Sequence, residues 1–265
     1  MENCCFLKLG GSLITDKSLP HTPRLEVLSR LAGEIKAAWQ ANPAMKLVIG
    51  HGSGSFGHVP ARKYGTRQGV RTPEEWRGFV EVWKEAAALN HIVVDALFSA
   101  GLPVIALPAS ASLVASDGQV SSWNLAPLVS ALEAGLLPVI YGDVIFDRVR
   151  GGTILSTEDL FQVLAQPLQP QRLLLAGLEE GVWADYPAHL QLITEITSLN
   201  YASISRALGG SVSADVTGGM ESKVRQMLSL VEVNPGLEIW IFSGEKPGNV
   251  FQALSGKAPG TRISH

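Results

Sequence analysis

Short apolar runs recur along the chain and predict the strands of a buried sheet. They are rich in Leu, Val and Ile, and several are continuous rather than alternating, which is typical of parallel strands covered on both faces. The predicted strands are Cys4–Leu9, Leu47–Ile49, Pro103–Leu107, Leu137–Tyr141, Arg172–Ala176 and Leu237–Phe242.

Segments with a helical spacing of apolar residues lie between these runs. One begins at Thr22-Pro23, a longer one begins at Thr72-Pro73, and a third begins near Gly219. A threonine followed by proline in the first turn is a helix-start signal. Strands that alternate with helices predict an α/β fold, here a three-layer sandwich with a central, mostly parallel sheet between helix layers.

The composition is that of a compact globular protein. The 265 residues are 46% hydrophobic and 17% charged. The net charge of −3 gives no basic surface for nucleic acid, and no apolar run reaches the roughly 18 residues of a membrane span. Cys4 and Cys5 are adjacent in a predicted buried strand, which disfavours a disulfide or a metal site. We therefore expect a reduced, cytoplasmic protein that binds neither nucleic acid nor membrane.

A glycine-rich segment follows the second predicted strand and ends in a histidine. It reads Gly52-Ser53-Gly54-Ser55-Phe56-Gly57-His58. Glycines bring backbone N–H groups close to phosphate oxygens without hindrance from Cβ atoms. A helix beginning near Ser55 would direct its positive N-terminal end at the same anion, and His58 adds a donor that can carry charge near neutral pH. The segment predicts a phosphate-binding loop.

The same segment also satisfies Gly-x-Gly-x-x-Gly, the fingerprint of dinucleotide-binding folds. That fingerprint requires an acidic residue about 20 positions later, at the end of the next strand. The acids at that distance, Glu74 and Glu75, instead follow Thr72 and Pro73 in a helix-start signature. We therefore interpret the segment as a phosphate loop and not as a dinucleotide site.

The first predicted strand carries a lysine immediately before a glycine turn. Lys8 precedes Gly10, Gly11 and Ser12, and a buried ammonium group is costly unless an anion compensates it. An edge-strand lysine whose amine reaches solvent is the alternative, but the adjacent turn favours phosphate binding. Lys17 is a further candidate because it lies close to the same turn.

Asp143 follows the predicted strand at Leu137–Tyr141, and the carboxyl ends of strands are where open α/β sheets bind ligands. A carboxylate there could hold two lysines in position or bind Mg²⁺. An ordinary turn aspartate explains the segment equally well.

A second glycine pair, Gly218 and Gly219, opens the third predicted helix, which carries Lys223 one turn in. Backbone amides, the helix dipole and the lysine would converge on an anion, although an ordinary helix start with an exposed lysine gives the same pattern. Three glycine-rich turns with three lysines favour a polyphosphate ligand. The chain lacks the Gly-x-x-x-x-Gly-Lys-Ser/Thr motif of P-loop proteins.

These segments resemble the isopentenyl phosphate kinases, a family of the amino acid kinase superfamily, and follow that family's order along nearly the whole chain. The motifs are Lys-x-Gly-Gly-Ser from Lys8, Gly-His-Gly-Ser-Gly-Ser-Phe-Gly-His ending at His58, Pro-Val-x-Tyr-Gly-Asp-Val around Asp143, and Thr-Gly-Gly-Met-x-x-Lys ending at Lys223. The second motif is the most specific, because relatives that act on carboxylates lack its last histidine. The resemblance implies the amino acid kinase fold, ATP-dependent phosphorylation of isopentenyl phosphate in isoprenoid biosynthesis, Mg²⁺ carried by ATP, and a homodimer.

The resemblance also implies a set of site residues. Contacts with the substrate phosphate fall on Ser53, Gly54, His58 and Gly152. Contacts with ATP fall on Lys8, Gly10, Gly11, Ser12, Gly54, Asp185, Gly218, Gly219 and Lys223. The adenosine half is expected at Leu178–Pro187, where Glu180 stands in place of the family's Asp and Asp185 comes one residue early. No residue is assigned as a direct metal ligand. We expect one domain over 1–265, with an acceptor and phosphate lobe at 1–166 and a nucleotide lobe at 171–265.

Phosphoryl transfer requires that two anionic reactants be held in line while their charge is neutralised. We expect Lys8 and Lys17 to contact the transferred γ-phosphoryl group and Lys223 the β- and γ-oxygens. We expect Asp143 to orient these lysines and His58 to hold the acceptor phosphate. An apolar slot for the acceptor's tail is expected on the second predicted helix, for which ordinary core packing is an equal interpretation: Phe79, Val82, Trp83 and Ala86.

Two alternatives stay open at this point. A kinase of the same fold could act on another small anion, such as a phosphonate antibiotic, a nucleotide monophosphate or a carboxylate. A non-catalytic nucleotide- or anion-binding protein could keep the glycine loops without turnover, although three lysines together with Asp143 argue against it.

Overall fold

All six predicted strands are present in one large sheet. The computed structural model describes residues 1–208 and 219–265. In chain order, the strands are β1 (Cys4–Leu9), β2 (Lys46–His51), β3 (Val104–Ala106), β4 (Leu113–Ser116), β5 (Gln119–Trp123), β6 (Leu137–Tyr141), β7 (Asp143–Asp147), β8 (Gly151–Leu155), β9 (Arg172–Gly177), β10 (Val182–Trp183), β11 (Leu192–Ile193), β12 (Glu195–Ile196), β13 (Glu238–Ser243) and β14 (Thr261–Ile263).

The α-helices of the described residues lie between these strands. They are α1 (Gly11–Ile14), α2 (Leu25–Ala41), α3 (Gly54–Tyr64), α4 (Pro73–Ser99), α5 (Ala126–Glu133), α6 (Thr157–Leu168), α7 (Ser198–Leu208), α8 (Gly219–Val233) and α9 (Asn249–Leu254). None of the helices in the described part of the chain is both long and apolar enough to cross a membrane.

The large sheet has the order β12-β14-β13-β9-β1-β2-β6-β3. The β13–β14 pair is antiparallel, and the other neighbouring pairs are parallel, as predicted. β1 pairs with β2 on one side and with β9 on the other. The chain therefore extends the sheet in opposite directions from β1, which creates a crevice at the carboxyl ends of these strands.

Helices cover both faces of this sheet and give the predicted three layers. Successive residues of β1 enter different hydrophobic clusters, because side chains alternate across a strand. Phe6 stacks on Phe161 of α6 with ring centroids 4.9 Å apart, in the cluster that also contains α5 and α8. Leu7 packs in the other cluster, with α2, α4 and α9.

The starts of the three predicted helices are confirmed at two positions and shifted at one. α4 begins at Pro73 after an N-cap at Thr72, and Glu75 accepts a hydrogen bond from the Thr72 N–H at 2.8 Å. This capping box confirms that the acids at this distance belong to a helix start. α8 begins at Gly219. α2 begins only at Leu25, because an antiparallel bridge between Thr15 and Pro23 keeps Pro23 in a hairpin.

The sequence pattern did not predict a smaller sheet with the order β5-β4-β7-β8. β7 and β8 form an antiparallel hairpin in which Phe146 is opposite Gly152. Pro167 lies inside α6, which continues to Leu168, so the helix extends into the segment proposed as the boundary between lobes.

Candidate active site

A cavity of about 590 Å³ lies at the crevice in the large sheet. Four glycines that end or follow its central parallel strands line the cavity: Gly10 after β1, Gly52 after β2, Gly142 after β6 and Gly177 at the end of β9. A volume of this size is typical of a small-molecule or cofactor site.

The two glycine-rich loops of the first half of the chain are in contact at the edge of this cavity, which Gly11 lines and Gly54 does not. A Cβ on Gly11 would lie 2.5 Å from the backbone nitrogen of Gly54, and Gly54 itself has a φ of +50°. Thr15 joins the same loops, because its Oγ1 donates to the Gly11 carbonyl at 2.7 Å and accepts from the Ser55 N–H at 2.9 Å. Glycine is therefore required at both positions, for close approach at one and for backbone conformation at the other.

The predicted histidine follows the start of a helix. Ser53 is the N-cap of α3, and His58 lies about one turn further on. Ser53 and His58 both line the cavity. The helix start near Ser55 is confirmed, but the Ser55 amide is already bonded to Thr15, so we expect other groups of this loop to meet a phosphate.

Lys8 forms an ion pair with a residue that the sequence analysis missed. Lys8 Nζ contacts Glu158 Oε1, and the two side chains are only 13% and 11% exposed. Burial alone would raise the pKa of Glu158, but the charges of Lys8 and Lys223 and the hydrogen bond from Lys8 outweigh it and lower the pKa to about 2. Glu158 is therefore an ionised group that Lys8 contacts and whose charge acts on Lys223.

The sequence pattern does not single out Glu158, because the residues around it are those of an ordinary helix start. Ser156 is the N-cap of α6, and the residue three positions on, Asp159, completes a capping box. Acidic residues in a first helical turn are common, since they favour the helix dipole. Only the pairing of β1 with its neighbours brings Lys8 to this turn, 150 residues along the chain.

The other two lysines also border the cavity. Lys223 is in the second turn of α8, and Gly219, the first residue of that helix, borders the cavity with it. Lys17 is exposed and follows Thr15, whose bridge to Pro23 closes a hairpin. This hairpin begins only at Thr15, because the residues just before it are helical in α1. Gly218 lies outside the described residues.

Asp143 is next to the cavity but contacts different groups from those expected. Its side chain is buried, Oδ2 accepts from the Ser110 N–H at 3.1 Å, and Oδ1 accepts from its neighbour Val144 at 2.8 Å. Burial raises the pKa of Asp143 to about 6, although these hydrogen bonds lower it in part. The carboxylate that contacts Lys8 is that of Glu158. We expected Asp143 to orient Lys8, but the carboxylate placed to do so is that of Glu158.

Two residues that are predicted to contact the ligands, Gly152 and Asp185, lie outside the cavity lining. Gly152 is a buried residue of β8, and a Cβ there would lie 2.8 Å from the Phe79 ring. The Asp185 carboxylate accepts hydrogen bonds from the N–H groups of Leu190 and Gln191, and so closes the loop between β10 and β11. Their contacts with ligand stay predictions. Ser12 lines the cavity as expected.

The predicted apolar slot is mainly a packed cluster beside the cavity. Phe79 and Val82 of α4 pack with Val70 and Val144, and this cluster reaches the cavity wall through Ala61 and Ile154. Ala86 is buried, whereas Trp83 is 45% exposed. The packed cluster therefore supplies an apolar boundary to the part of the cavity that Ala61 and Ile154 line.

The segment expected at the adenosine half does border the cavity. Its lining residues are Leu178, Glu179, Gly181, Trp183 and Tyr186. Trp183 Nε1 donates to Glu179 Oε2 at 3.1 Å, and the indole stacks on His189 with centroids 5.0 Å apart. These contacts present an aromatic and a carboxylate to one end of the cavity.

The carboxylates near the cavity do not form a metal cage. Within residues 1–208 and 219–265, no three His, Cys, Asp or Glu side chains are grouped in a way that could hold a metal ion. Glu158 contacts Lys8, and Asp143 accepts two backbone hydrogen bonds. This donor set fits an Mg²⁺ ion held by phosphate oxygens and water, which is the usual arrangement for Mg²⁺ with nucleotides.

Comparison with known proteins identifies the family. A sequence profile of the amino acid kinase family matches residues 3–243. The isopentenyl phosphate kinase of Methanocaldococcus jannaschii is 33% identical over 97% of this chain and 97% of its own. That of Methanothermobacter thermautotrophicus is 36% identical over 98% of both chains.

The fold comparison agrees. An X-ray structure of an isopentenyl phosphate kinase superposes with a TM-score of 0.82 at 32% identity and covers 98% of this chain and 100% of its own. Because both the family profile and these relatives extend over nearly the full length, the chain belongs to the amino acid kinase family and, within it, to the isopentenyl phosphate kinases.

Proposed function

We propose that the chain transfers the γ-phosphoryl group of ATP to isopentenyl phosphate and releases isopentenyl diphosphate and ADP. The observation that carries this proposal is the shared cavity, in which His58 and Ser53 of one glycine loop face the same space as Lys8 and Lys223. The names of the full-length relatives support the acceptor. The apolar boundary formed by Ala61 and Ile154 suits an alkyl tail better than a carboxylate or a base.

The reaction requires little covalent help from the protein. A phosphate oxygen of the acceptor attacks the γ-phosphorus, the bond to the β,γ-bridging oxygen breaks, and ADP leaves with that electron pair. The acceptor oxygen is already anionic, so no strong general base is needed. Bound Mg²⁺ would neutralise charge on the ATP phosphates.

The side chains then have distinct tasks. Lys8, held by Glu158, and Lys17 stabilise the transferred group, and Lys223 binds the β- and γ-oxygens. His58 donates to the acceptor phosphate with Ser53, Gly54 and Gly152. The remaining ATP contacts are assigned to Gly10, Gly11, Ser12, Asp185, Gly218 and Gly219. The two lobes, 1–166 and 171–265, would then bind acceptor and nucleotide respectively.

The proposal extends to assembly and location. A cytoplasmic homodimer is supported by the family and by apolar side chains exposed on α4, where Val80 is 57% and Trp83 is 45% exposed. Light scattering of the purified chain tests the dimer: a mass of one subunit would contradict it.

A panel of acceptors tests the reaction itself. ATP consumption is measured with isopentenyl phosphate, dimethylallyl phosphate, fosfomycin, UMP and glutamate, and we expect the isoprenoid monophosphates to be preferred. Turnover with only one of the other anions would establish the first alternative, and no turnover with any acceptor would favour the second.

A histidine variant tests the acceptor site. His58→Ala should lose about ten- to hundredfold in kcat/KM for the acceptor, which corresponds to one charge-assisted hydrogen bond of roughly 1.5–3 kcal/mol, while ATP binding persists. His91→Ala, which removes an exposed histidine from α4, is the matched control. Normal turnover by His58→Ala would remove this residue from the acceptor site.

A further inference from the structure

One carboxylate outside the assigned site residues connects three elements around the cavity. Asp159 is the third residue of α6 and directly follows Glu158, the partner of Lys8. Its Oδ2 accepts a hydrogen bond from the Ser156 N–H at 2.8 Å. This bond belongs to the capping box and fixes the Asp159 side chain relative to α6.

On the acceptor side, Asp159 contacts an arginine that lines the cavity. Arg67 Nη2 lies 3.1 Å from Asp159 Oδ2, and the Arg67 side chain is 39% exposed. Arg67 belongs to the segment between α3 and α4, and it borders the same cavity as His58. Its backbone carbonyl accepts a hydrogen bond from Thr153 Oγ1 at 2.9 Å. The backbone is thus anchored on β8, while the guanidinium group contacts Asp159 beside the cavity that Arg67 lines.

On the nucleotide side, Asp159 contacts α8. Gln226 Nε2 donates to Asp159 Oδ1 at 3.0 Å and to Gln162 Oε1 at 3.2 Å. Gln226 is three residues beyond Lys223, so both side chains project from one face of α8. A displacement of α8 relative to α6 would therefore break the bond to Asp159 and move Lys223 at the same time.

We infer that Asp159 is a positioning residue that couples the acceptor site to the ATP site, through Arg67 on one side and Gln226 on the other. The inference rests on the proposed function, because that function puts the acceptor phosphate on the His58 side. A guanidinium group has five N–H donors, so Arg67 can bind a phosphate while Nη2 keeps its contact with Asp159.

The coupling requires two states of α8. In one, Gln226 is bonded to Asp159 and Lys223 is held toward the cavity; in the other, this bond is broken. An acceptor dianion that orders Arg67 against Asp159 favours the first state and so tightens ATP binding. By linkage, ATP tightens acceptor binding by the same factor.

Calorimetry tests this coupling. The affinity for a non-hydrolysable ATP analogue is measured with and without saturating isopentenyl phosphate. In the unmodified protein we expect the acceptor to tighten analogue binding about five- to tenfold, the lower end of typical couplings. Asp159→Asn, Gln226→Leu and Arg67→Leu should each bring this ratio close to one, and Arg67→Lys should retain part of it.

The controls separate coupling from general damage. Glu75→Gln removes the charge from the equivalent capping-box position of α4 and should keep the full ratio. A ratio of one in the unmodified protein, or an unchanged ratio in the three disruptive variants, would overturn the coupling. The proposed function fails separately, when the unmodified protein does not phosphorylate isopentenyl phosphate at all.

Discussion

At the scale of single residues, the buried pair of Lys8 and Glu158 fixes the position of an ammonium group at the cavity wall. Breaking a buried ion pair costs more than forming it gains, because the remaining charge is left uncompensated. Glu158 stays ionised at all physiological pH values, since its pKa is lowered to about 2 by the two lysine charges despite burial. The ammonium group is thereby held in one position.

Replacement of Glu158 tests this role. Glu158→Gln should lower kcat by at least about tenfold, because Lys8 loses the group that fixes it, a transition-state effect of roughly 1.4 kcal/mol or more. The KM for ATP should not rise, because the positive charge facing the phosphates is no longer neutralised. Steady-state kinetics measures both, with Glu245→Gln as a control that breaks the pair with Arg24 instead. An unchanged kcat would make the pair purely structural.

Asp143 gives the protein a dependence of stability on pH. Burial raises the pKa of Asp143 to about 6 in the folded protein, so between about pH 4 and 6 the native carboxyl holds a proton that the unfolded chain has lost. The free energy of unfolding should therefore fall as pH rises through this window, by up to about 3 kcal/mol from this group.

Chemical denaturation at several pH values checks this prediction. Asp143→Asn has no proton to lose, so the difference in unfolding free energy between the variant and the unmodified protein should change across pH 4–6 in favour of the variant. A difference that stays constant over this range would mean that Asp143 is ionised throughout.

At the scale of elements, the hairpin closed by Thr15 and Pro23 brings Lys17 to the cavity. The Asp16 N–H donates to the Thr22 carbonyl at 2.9 Å, and His21 Nε2 lies 2.8 Å from Glu85 Oε2 of α4. These contacts hold the two arms of the hairpin together and attach its second arm to α4. The Lys17 side chain itself is exposed. An exposed side chain is better suited to a contact formed during the reaction than to one that organises the site beforehand.

Lys17→Met should therefore reduce kcat with little change in either KM, the pattern of an interaction made chiefly in the transition state. Lys84→Met, which removes an exposed lysine from α4, should leave both parameters unchanged. A raised KM for ATP at normal kcat would instead make Lys17 a binding residue for the ground state.

The elements differ in how far sequence could predict them. The central strands of the large sheet are buried on both faces, so β6 is a continuous apolar run and β1 is interrupted only by Lys8, and both have the predicted bounds. Two strands of the small sheet lack such a run, because Ser121 and Ser122 of β5 are exposed and β8 opens with two glycines. Such segments resemble loops until their partners are known.

The site residues also differ in whether the sequence alone could identify them. Lys8 and His58 stand beside glycine turns that signal phosphate by themselves. Glu158 and Asp159 carry no such local signal, because each acquires its role from a partner on a different element.

At the scale of the whole molecule, the large sheet passes through both proposed lobes. β1 and β2 belong to the first lobe, β9 and β13 to the second, and β1 pairs directly with β9. The hydrophobic clusters on each face also draw on residues from both halves. The lobes therefore share a core and should not unfold separately.

Fluorescence of single-tryptophan variants tests this cooperativity. One variant keeps only Trp123, in β5 of the small sheet, and another keeps only Trp240, in β13 of the large sheet. In each variant, the urea midpoint measured by tryptophan fluorescence should equal the midpoint measured by circular dichroism. A lower midpoint at Trp123 would show that the small sheet unfolds first.

The contact between Gly11 and Gly54 has a consequence for how substrate preference can change over evolution. Since a Cβ would not fit between these backbones, the spacing of the two glycine loops is set by main-chain contact and by the Thr15 hydroxyl that joins them. Side chains farther along the acceptor half, such as Ile154 and Ala61, contribute nothing to that spacing. If the proposed function holds, we expect acceptor preference to change through exchange of those side chains, while the distance between the donor and acceptor phosphates is retained.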